Sequence, residues 1–221
     1  MRILDLFCGT KSVSDAFKRE GFEVLTLDNN LQFNPLIWVD IMHWDYKFGE
    51  RIPSLQQRDL DVIWASPPCE GFSVASISKH WVQCCKDYPP DPLTGTAERG
   101  IQLVEKTIEI IEYFKPKYWF IENPRAMLRK MDFMQALPRQ TITYCQYGDT
   151  RMKPTDIWGI FPKNFPIRKC KAGDKCHEPA PRGSKTGTQG LKGAIERGRI
   201  PEQFCSLLAK QIKEEINKAN K

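Results

Sequence analysis

A cysteine that follows a predicted strand is the first residue in this sequence that could do chemistry. Residues 60–65 form an apolar run rich in β-branched and aromatic side chains, and residues 66–73 read Ser-Pro-Pro-Cys-Glu-Gly-Phe-Ser. Such a run predicts a buried strand, and the two prolines after it fix the backbone, so Cys69 is held at the strand's carboxyl end. Open α/β sheets bind ligands at that end, where a thiol can be a nucleophile. A buried structural thiol is the alternative that this segment leaves open.

Acidic residues at the ends of three other predicted strands could act at the same edge of a sheet. Asp28, Asp40 and Glu122 each directly follow an apolar run. A carboxylate after the second strand of a βαβ unit can accept hydrogen bonds from two ribose hydroxyls, and one after the third could accept from an exocyclic amine. The pattern favours a cofactor that contains a ribose, although acids at strand ends also act as caps and turn formers.

The elements that must position these residues alternate between strand and helix patterns. Helical spacing of apolar residues recurs at 12–20, 96–114 and 202–217, and apolar runs predict strands at 2–7, 22–27, 36–39, 60–65, 118–121, 141–145 and 155–158. This order predicts an α/β fold with a doubly wound, mostly parallel, Rossmann-like sheet and helices on both faces. Residues 76–95 show no periodicity and predict a long loop.

The composition predicts one globular domain in a reducing compartment. The chain has 221 residues, of which 41% are hydrophobic and 27% charged. It contains no apolar run of membrane-spanning length and no recognisable signal peptide, so we expect a cytoplasmic protein that does not contact membranes. The eight cysteines are therefore expected to be reduced.

A basic segment lies towards the carboxyl end of the sequence. Between Lys163 and Arg199 there are ten lysines or arginines and three acids, a local charge of +7 against +6 for the whole chain. Lysines and arginines that neutralise phosphates release counterions, so this segment favours contact with a polyanion such as DNA. A solvated loop is the alternative.

Four motifs, in order, resemble those of the DNA cytosine-C5 methyltransferases, which use S-adenosylmethionine. Residues 5–9 (Asp-Leu-Phe-Cys-Gly) are similar to the family's first motif, and residues 68–73 (Pro-Cys-Glu-Gly-Phe-Ser) to its Pro-Cys-Gln-x-Phe-Ser. Residues 122–123 (Glu-Asn) resemble its Glu-Asn-Val, and residues 149–153 (Asp-Thr-Arg-Met-Lys) resemble its Gln-x-Arg-x-Arg. The resemblance covers about residues 1–158.

The resemblance implies a reaction for these residues. Cys69 would add to carbon-6 of a cytosine flipped out of DNA, and the addition would make carbon-5 nucleophilic enough to take a methyl group. Glu122 would act as general acid at ring nitrogen 3. Arg151 and Lys153 would hold the base's oxygen and nearby phosphate or carboxylate groups. The implied catalytic residues are Cys69, Glu122, Arg151 and Lys153.

The resemblance also implies a site for S-adenosylmethionine. The methionine part would lie near the Gly9 turn, and the adenine against Phe7 and Ile41. Asp28 would bind the ribose hydroxyls and Asp40 the adenine amine, which agrees with the interpretation of the strand-end acids. The implied cofactor-binding residues are Phe7, Gly9, Asp28, Asn29, Asp40, Ile41 and Pro67.

The sequence departs from the family's pattern in its motifs and in its length. Thr10-Lys11-Ser12 replace the glycines that usually follow Gly9, and Glu70, Pro124 and Lys153 replace Gln, Val and Arg. Few residues follow the last motif, so we expect a short form without a full target-recognition domain. The predicted organisation is a catalytic core at 1–160, a basic Gly-rich segment at 161–200 that forms a reduced DNA-recognition region, and a C-terminal helix at 201–221 that packs on the core.

Three residues in the basic segment raise the question of a metal site. Cys170, Cys176 and His177 have a Cys-x5-Cys-His spacing, which is unusual for zinc. A structural zinc site needs four ligands, and the sequence shows no clear fourth. We therefore favour a polar loop and assign no metal ligands from the sequence.

Two other functions stay open from the sequence. The Ser66-Pro67-Pro68 turn resembles that of exocyclic-amine DNA methyltransferases, but that class has an aromatic residue where Cys69 stands and does not need Glu122. The chain could also be a non-catalytic DNA-binding accessory protein with the same fold. The sequence leaves open the target site, whether the DNA is single- or double-stranded, and whether RNA or free nucleotides are the substrate instead. It also leaves open membership of a restriction system and the oligomeric state.

Overall fold

A seven-stranded sheet forms the centre of the fold. The computed structural model describes residues 1–48, 55–83, 90–171, 173–179 and 193–219. Within them, the strands of this sheet are β1 (Arg2–Leu6), β2 (Glu23–Asp28), β3 (Ile37–Trp38), β4 (Val62–Ala65), β7 (Tyr118–Pro124), β8 (Arg139–Thr143) and β9 (Pro154–Gly159), while β5 (Trp81–Val82) and β6 (Asp91–Pro92) form a separate antiparallel pair.

The sheet order confirms the predicted fold class. The strands are arranged β3-β2-β1-β4-β7-β9-β8. The first five of these are parallel, and β9 runs antiparallel to both of its neighbours. The chain leaves β1 in one direction and returns to β4 on the other side, so the crevice at the carboxyl ends of β1 and β4 is where such a sheet binds ligands.

Helices cover both faces of the sheet. They are α1 (Ser12–Arg19), α2 (Ile77–His80), α3 (Gly95–Phe114), α4 (Asp132–Gln135), α5 (Ala194–Gly198) and α6 (Glu202–Ala219). Thr94 caps α3 by accepting a hydrogen bond from the N–H of Ala97, and the helix ends at Lys115 in a left-handed conformation before Pro116. None of the helices in the described residues has the length and apolar character needed to cross a membrane.

Strand β4 shows how the sequence builds the two cores. Val62 and Trp64 pack on one face in a cluster that includes residues of α1 and α6, and Ile63 and Ala65 pack on the other in a cluster that includes residues of α3. All four residues are buried because a central parallel strand is covered on both faces. Each fully buried large apolar side chain contributes about 1.5–3 kcal/mol, so the strand that leads into the Cys69 loop is held firmly in the sheet.

Two stretches fold differently from the prediction. Residues 76–95 contain α2, β5 and β6 where we predicted a loop without structure, and residues 84–89 lie outside the described residues. These elements are too short to show a sequence period. The indole N–H of Trp81 donates to the carbonyl oxygen of Gly71 (2.5 Å), which ties this region to the Cys69 loop. The strand predicted at 141–145 ends at Thr143, and a tight 3-10 turn follows (Tyr144–Tyr147).

Strands β7 and β9 approach each other closely at Gly159. A Cβ atom at this position would lie 1.9 Å from the carbonyl oxygen of Trp119, and the φ angle of Gly159 is +147°. Both facts require glycine. Since Glu122 lies in β7, this close contact helps to hold the site described below.

We expect Gly159→Ala to lower the free energy of unfolding by about 3 kcal/mol or more, because the new methyl group collides with backbone that cannot move away. Urea denaturation measures the change. Gly198→Ala is the matched control, since nothing lies within 4 Å of a Cβ at Gly198, which is in a helix. The control should change stability by less than about 1 kcal/mol. Equal stability of the two variants would contradict the prediction.

Candidate active site

The loop that carries Cys69 is fixed against the end of the neighbouring strand. The backbone N–H of Phe72 donates to the carbonyl oxygen of Cys69 (3.0 Å), and the side-chain amide of Asn123 donates to the carbonyl oxygen of Pro67 (3.1 Å). Phe72 is fully buried, so the loop turns at Cys69 and leaves that side chain half-buried at the sheet edge. The parallel pairing of β4 and β7 brings Glu122 to the neighbouring strand end, as we predicted.

Glu122 is oriented by Tyr144, a residue that the sequence analysis missed. Glu122 is 6% exposed, and the Tyr144 hydroxyl donates a hydrogen bond to its Oε1 (3.0 Å). Burial and then the charge of Glu122 raise the pKa of Tyr144 well above its ordinary value, so the phenol keeps its proton and remains a donor. The sequence places Tyr144 after a strand, but its partner lies in a distant segment and no local pattern connects the two.

Lys153 places a positive charge beside the same groups. Its Nζ lies 4.7 Å from the centroid of the Tyr144 ring and donates to the carbonyl oxygen of Arg197 (3.1 Å). An ammonium group has three donors, so this bond leaves capacity for a substrate oxygen or phosphate.

The Cys69 thiol is sensitive to the charges of both partners. Burial raises the pKa of Cys69, the carboxylate of Glu122 raises it further, and the ammonium of Lys153 lowers it. A nucleophile, an acid and a cation therefore act on one another at one edge of the sheet, where β4 and β7 end and the antiparallel β9 begins. The thiol forms its reactive thiolate more readily when the negative charge on Glu122 is neutralised.

The guanidinium of Arg151 is engaged inside the protein. Its Nε donates to Asp149 (2.8 Å), and its other nitrogens donate to Asp149 and to the carbonyl oxygens of Glu196, Arg197 and Arg199, the last three at 3.1 Å. These bonds use all five guanidinium donors. The contact we predicted between Arg151 and a base oxygen stays a prediction, and it would require one of these bonds to break. In the present arrangement Arg151 positions residues 196–199 next to the site.

A cleft of about 430 Å³ opens beside the Cys69 loop, within the usual size range of small-molecule sites. Its walls are partly apolar, and they include residues of β2, α3 and the loops after β1, β3 and β4. Four of the predicted cofactor-binding residues line it: Phe7, Asn29, Asp40 and Ile41. Gly9, Asp28 and Pro67 are not among its lining residues, so the structure assigns them no direct contact with this cleft.

Asp28 shapes the turn at the edge of this cleft. The N–H of Gly9 donates to its Oδ2 (3.0 Å) and the N–H of Asn30 to its Oδ1 (2.8 Å). Gly9 has a φ of +46°, a left-handed conformation that suits glycine. Each carboxylate oxygen keeps a further lone pair, so the bond we predicted between Asp28 and a ribose remains a prediction.

Arg99 is a residue of the cleft that the sequence analysis missed. Its guanidinium lies 2.5 Å from Oδ2 of Asp40, and Oδ1 of Asp40 accepts from the N–H of Met42 (3.0 Å). The two bonds hold the carboxylate in one orientation. The helical periodicity at 96–114 indicates which side of α3 is buried, but it does not show that the half-buried Arg99 reaches a strand end.

A mostly parallel α/β sheet with a thiol, a carboxyl and an ammonium at its strand ends, beside a cleft, defines a Rossmann-like enzyme with a candidate cysteine nucleophile. The model of the C-5 cytosine-specific DNA methylase family matches residues 1–139. The chain therefore belongs to this family, the class of the DNA (cytosine-5)-methyltransferases, and the resemblance seen in the motifs is confirmed.

Relatives differ in how much of their length this chain covers. The "Probable DNA (cytosine-5)-methyltransferase" of Frog virus 3 (isolate Goorha) is 36% identical over 186 residues, which are 80% of this chain and 78% of the viral protein. Type II methyltransferase M.FnuDI of Fusobacterium nucleatum is 25% identical over 135 residues, 59% of this chain and 34% of that protein. The crystal structure of S. pombe Dnmt2 methyltransferase is 13% identical with a TM-score of 0.45, and the match covers 72% of this chain and 48% of that one. The chain thus spans about three quarters of the viral protein and less than half of the other two.

Proposed function

We propose that this chain transfers a methyl group from S-adenosylmethionine to carbon-5 of cytosine in DNA, through a covalent bond between Cys69 and carbon-6 of a flipped base. The observation that carries the proposal is the placement of Cys69, Glu122 and Lys153 at one edge of the sheet: Cys69 follows β4, Glu122 lies near the end of its parallel neighbour β7, and Lys153 directly precedes the antiparallel β9. A thiol nucleophile, an acid and a cation are what addition to a cytosine ring requires.

The cleft beside Cys69 fits the proposed cofactor. Phe7 and Ile41 offer apolar surface to a purine ring, and Asp40 offers a carboxylate to an exocyclic amine. S-adenosylmethionine supplies the methyl group when bound. Asn29 would contact its ribose, with Asp28 and Gly9 forming the turn beside it. Pro67 and the rest of the Cys69 loop would separate the cofactor cleft from the base.

The chain's own residues move the electrons and the protons. The Cys69 thiol gives its proton to solvent and the thiolate adds to carbon-6, while ring nitrogen 3 takes a proton from the Glu122 carboxyl, so that carbon-5 becomes nucleophilic. After carbon-5 has accepted the methyl group it loses its own proton to solvent water, and the electrons of that bond re-form the double bond between carbon-5 and carbon-6. The Cys69 sulfur leaves carbon-6 as a thiolate that takes a proton back from solvent, and nitrogen 3 returns its proton to Glu122. The hydrogen bond from Tyr144 holds Glu122 in place throughout, and Lys153 balances the negative charge.

In DNA, the target cytosine must leave the base stack to reach Cys69, at a cost of roughly a few kcal/mol. The basic segment suits contact with phosphates, since its local charge is +7. We assign residues 1–160 to the catalytic core, 161–200 to DNA contact and 201–221 to the helix that closes the core. Arg151 supports this arrangement because it donates to the carbonyl oxygens of Glu196, Arg197 and Arg199 beside the site.

Bisulfite sequencing tests the proposal directly. DNA from bacterial cells that express the full chain should contain cytosines protected from conversion in one sequence context, and DNA from cells that express Cys69→Ala at the same level should not. Protection that is equal in the two samples, or absent from both with folded protein present, would refute carbon-5 methylation. The same experiment reports the target site.

The ion pair of Asp40 with Arg99 provides a separate test of the cofactor cleft. Asp40→Asn keeps an oxygen for the N–H of Met42 but loses the charge, so we expect the dissociation constant for S-adenosylmethionine to rise about 10- to 100-fold. Isothermal titration calorimetry measures it. Asp132→Asn, which changes an exposed carboxylate in the first turn of α4, should leave the affinity unchanged. Unchanged affinity in Asp40→Asn would place the cofactor elsewhere.

A further inference from the structure

Four potential metal ligands from two separate segments converge on the side of the sheet next to Tyr144. Cys145 lies in the turn after β8, and Cys170, Cys176 and His177 come from the start of the basic segment. Their ligand atoms all lie within 4.8 Å of one another. We propose that these residues bind one Zn²⁺ ion in a structural Cys3His site. Cys145 is the fourth ligand that the sequence did not show, so the reason for preferring a polar loop no longer holds.

Three of four distances between the ligand atoms match the edges of a zinc tetrahedron to within about 0.2 Å, and the Cys145–Cys170 distance would lengthen when the ion binds. With zinc bonds of about 2.3 Å to sulfur and about 2.0–2.1 Å to nitrogen, the edges of a tetrahedron are about 3.8 Å between sulfurs and about 3.6 Å between sulfur and nitrogen. The Sγ of Cys145 lies 3.1 Å from that of Cys170 and 3.6 Å from that of Cys176. Nδ1 of His177 lies 3.7 Å from the Cys170 sulfur and 3.6 Å from the Cys176 sulfur.

A disulfide explains this cluster less well than a metal does. The shortest separation, between Cys145 and Cys170, is 3.1 Å, against about 2.05 Å for a disulfide bond. Any one disulfide would also leave a third sulfur and an imidazole nitrogen directed at the same point. A metal ion, in contrast to a disulfide, would bind all three sulfurs and the nitrogen around their common centre.

The chemistry of the four ligands selects zinc and a structural role. Three thiolates and one neutral imidazole in a tetrahedron are a standard zinc donor set, whereas calcium and magnesium require oxygen ligands. Each of the three thiols would release its proton to solvent when zinc binds. Four protein ligands leave no open position for water or substrate, so the ion would stabilise the fold and would not take part in methyl transfer.

The site would fasten the start of the basic segment to the sheet. Two hydrogen bonds already join the segment to the sheet region: the N–H of Cys170 donates to the Thr143 hydroxyl (2.8 Å), and the N–H of Glu178 donates to the carbonyl oxygen of Thr150 (3.0 Å). Cys145 is the neighbour of Tyr144, so a zinc bond there would also restrain the residue that orients Glu122. Zinc would hold one end of the segment and Arg151 the other. Zinc binding does not itself depend on the proposed methyl transfer.

The metal content of the full chain, purified under reducing conditions without chelator, tests this inference. Mass spectrometry of the metals should find about one zinc per chain. Cys176→Ser and His177→Ala should each lower the affinity for zinc at least about a hundredfold, as measured by competition with a chelator. Cys69→Ser is the matched control: it removes a thiol outside the cluster and should keep zinc, which separates a failure of this inference from a failure of the proposed methyl transfer.

Replacement of zinc by Co²⁺ in the unmutated chain keeps the test valid if the variants do not fold. Tetrahedral cobalt with three thiolates gives strong visible ligand-field bands and sulfur-to-metal charge-transfer bands. The inference is overturned if the wild-type chain contains no zinc and gives no such bands, if it contains iron at full occupancy, or if peptide mapping finds a Cys145–Cys170 disulfide. It is also overturned if both ligand variants keep zinc at the wild-type affinity.

Discussion

Replacing Cys69 by serine is expected to slow methyl transfer to cytosine by more than about 10³-fold while S-adenosylmethionine binding changes less than twofold. Loss of a nucleophile that forms a covalent intermediate typically has an effect of this size or larger. Serine matches the shape of cysteine, and its hydroxyl keeps its proton at any physiological pH. The cofactor cleft is lined by other residues of the loop, such as Pro68 and Gly71, so it should keep its shape.

The charges around Cys69 explain why the reaction needs a thiol at this position and not only a side chain of the same shape. Burial and the Glu122 carboxylate raise the pKa of Cys69, and Lys153 opposes them. Burial therefore disfavours the thiolate, and neutralising the Glu122 carboxylate removes one of the causes that raise the pKa of Cys69. A serine hydroxyl would need a far larger stabilisation than these residues offer.

Covalent trapping provides the measurement that separates the competing functions. DNA that contains 5-fluorocytosine cannot lose a proton from carbon-5, so the wild-type chain should form a complex with it that survives denaturing electrophoresis, and Cys69→Ser should not. Cys205→Ala, which removes a buried thiol of α6, is the control and should still be trapped. If Cys69→Ser kept more than about a tenth of the methyl transfer, the proposal would fail, and methylation of an exocyclic amine would take its place.

The sequence predicted the parts of this protein that depend on local pattern. Apolar runs and helical spacing located β4, β7, α3 and α6, because burial on one or both faces of an element leaves a period in the sequence. Cys69 and Glu122 were identified because each directly follows such a run, and parallel strands bring their carboxyl ends to one edge. The fold class and the family were predictable for the same reason.

The parts that were missed depend on contacts between distant segments. Tyr144 follows β8 and reaches Glu122 of β7 across the end of β9, the strand between them. No local pattern in the sequence indicates this strand order. Arg151 donates to the carbonyl oxygens of Glu196, Arg197 and Arg199, and a backbone acceptor is present at every residue, so the sequence does not indicate these bonds. Cys145 joins Cys170 for a similar reason: the two are 25 residues apart and meet through the fold.

Glu122→Gln is expected to lower the rate of methyl transfer by about 10²- to 10⁴-fold, the usual contribution of a general acid. Glutamine keeps an oxygen that can accept the hydrogen bond from the Tyr144 hydroxyl, so the site should keep its geometry. Its amide cannot pass a proton to ring nitrogen 3 and take it back. Single-turnover assays with saturating DNA measure the rate of the chemical step without contributions from binding or product release.

The same substitution should make Cys69 react faster with a small alkylating agent. The Glu122 carboxylate raises the pKa of Cys69, so a neutral glutamine lowers that pKa and increases the fraction of thiolate at a given pH below it. The pH dependence of iodoacetamide labelling, followed by mass spectrometry of the Cys69 peptide, reports the shift, which should be towards lower pH. The shift is expected from the change of charge alone, since glutamine can keep the hydrogen bond from the Tyr144 hydroxyl and so the geometry of the site.

Glu70→Gln is the matched control for this pair of measurements. Glu70 is exposed, lies in the same loop and raises the pKa of Cys69 less than Glu122 does. Its replacement should shift alkylation slightly in the same direction, because solvent screens an exposed charge. Glu70 lines the cofactor cleft, so transfer is compared at saturating S-adenosylmethionine, where it should stay within about threefold of the wild-type rate. The assignment of Glu122 as the acid fails if Glu122→Gln transfers methyl groups within tenfold of the wild-type rate, or if Glu70→Gln is impaired to the same extent.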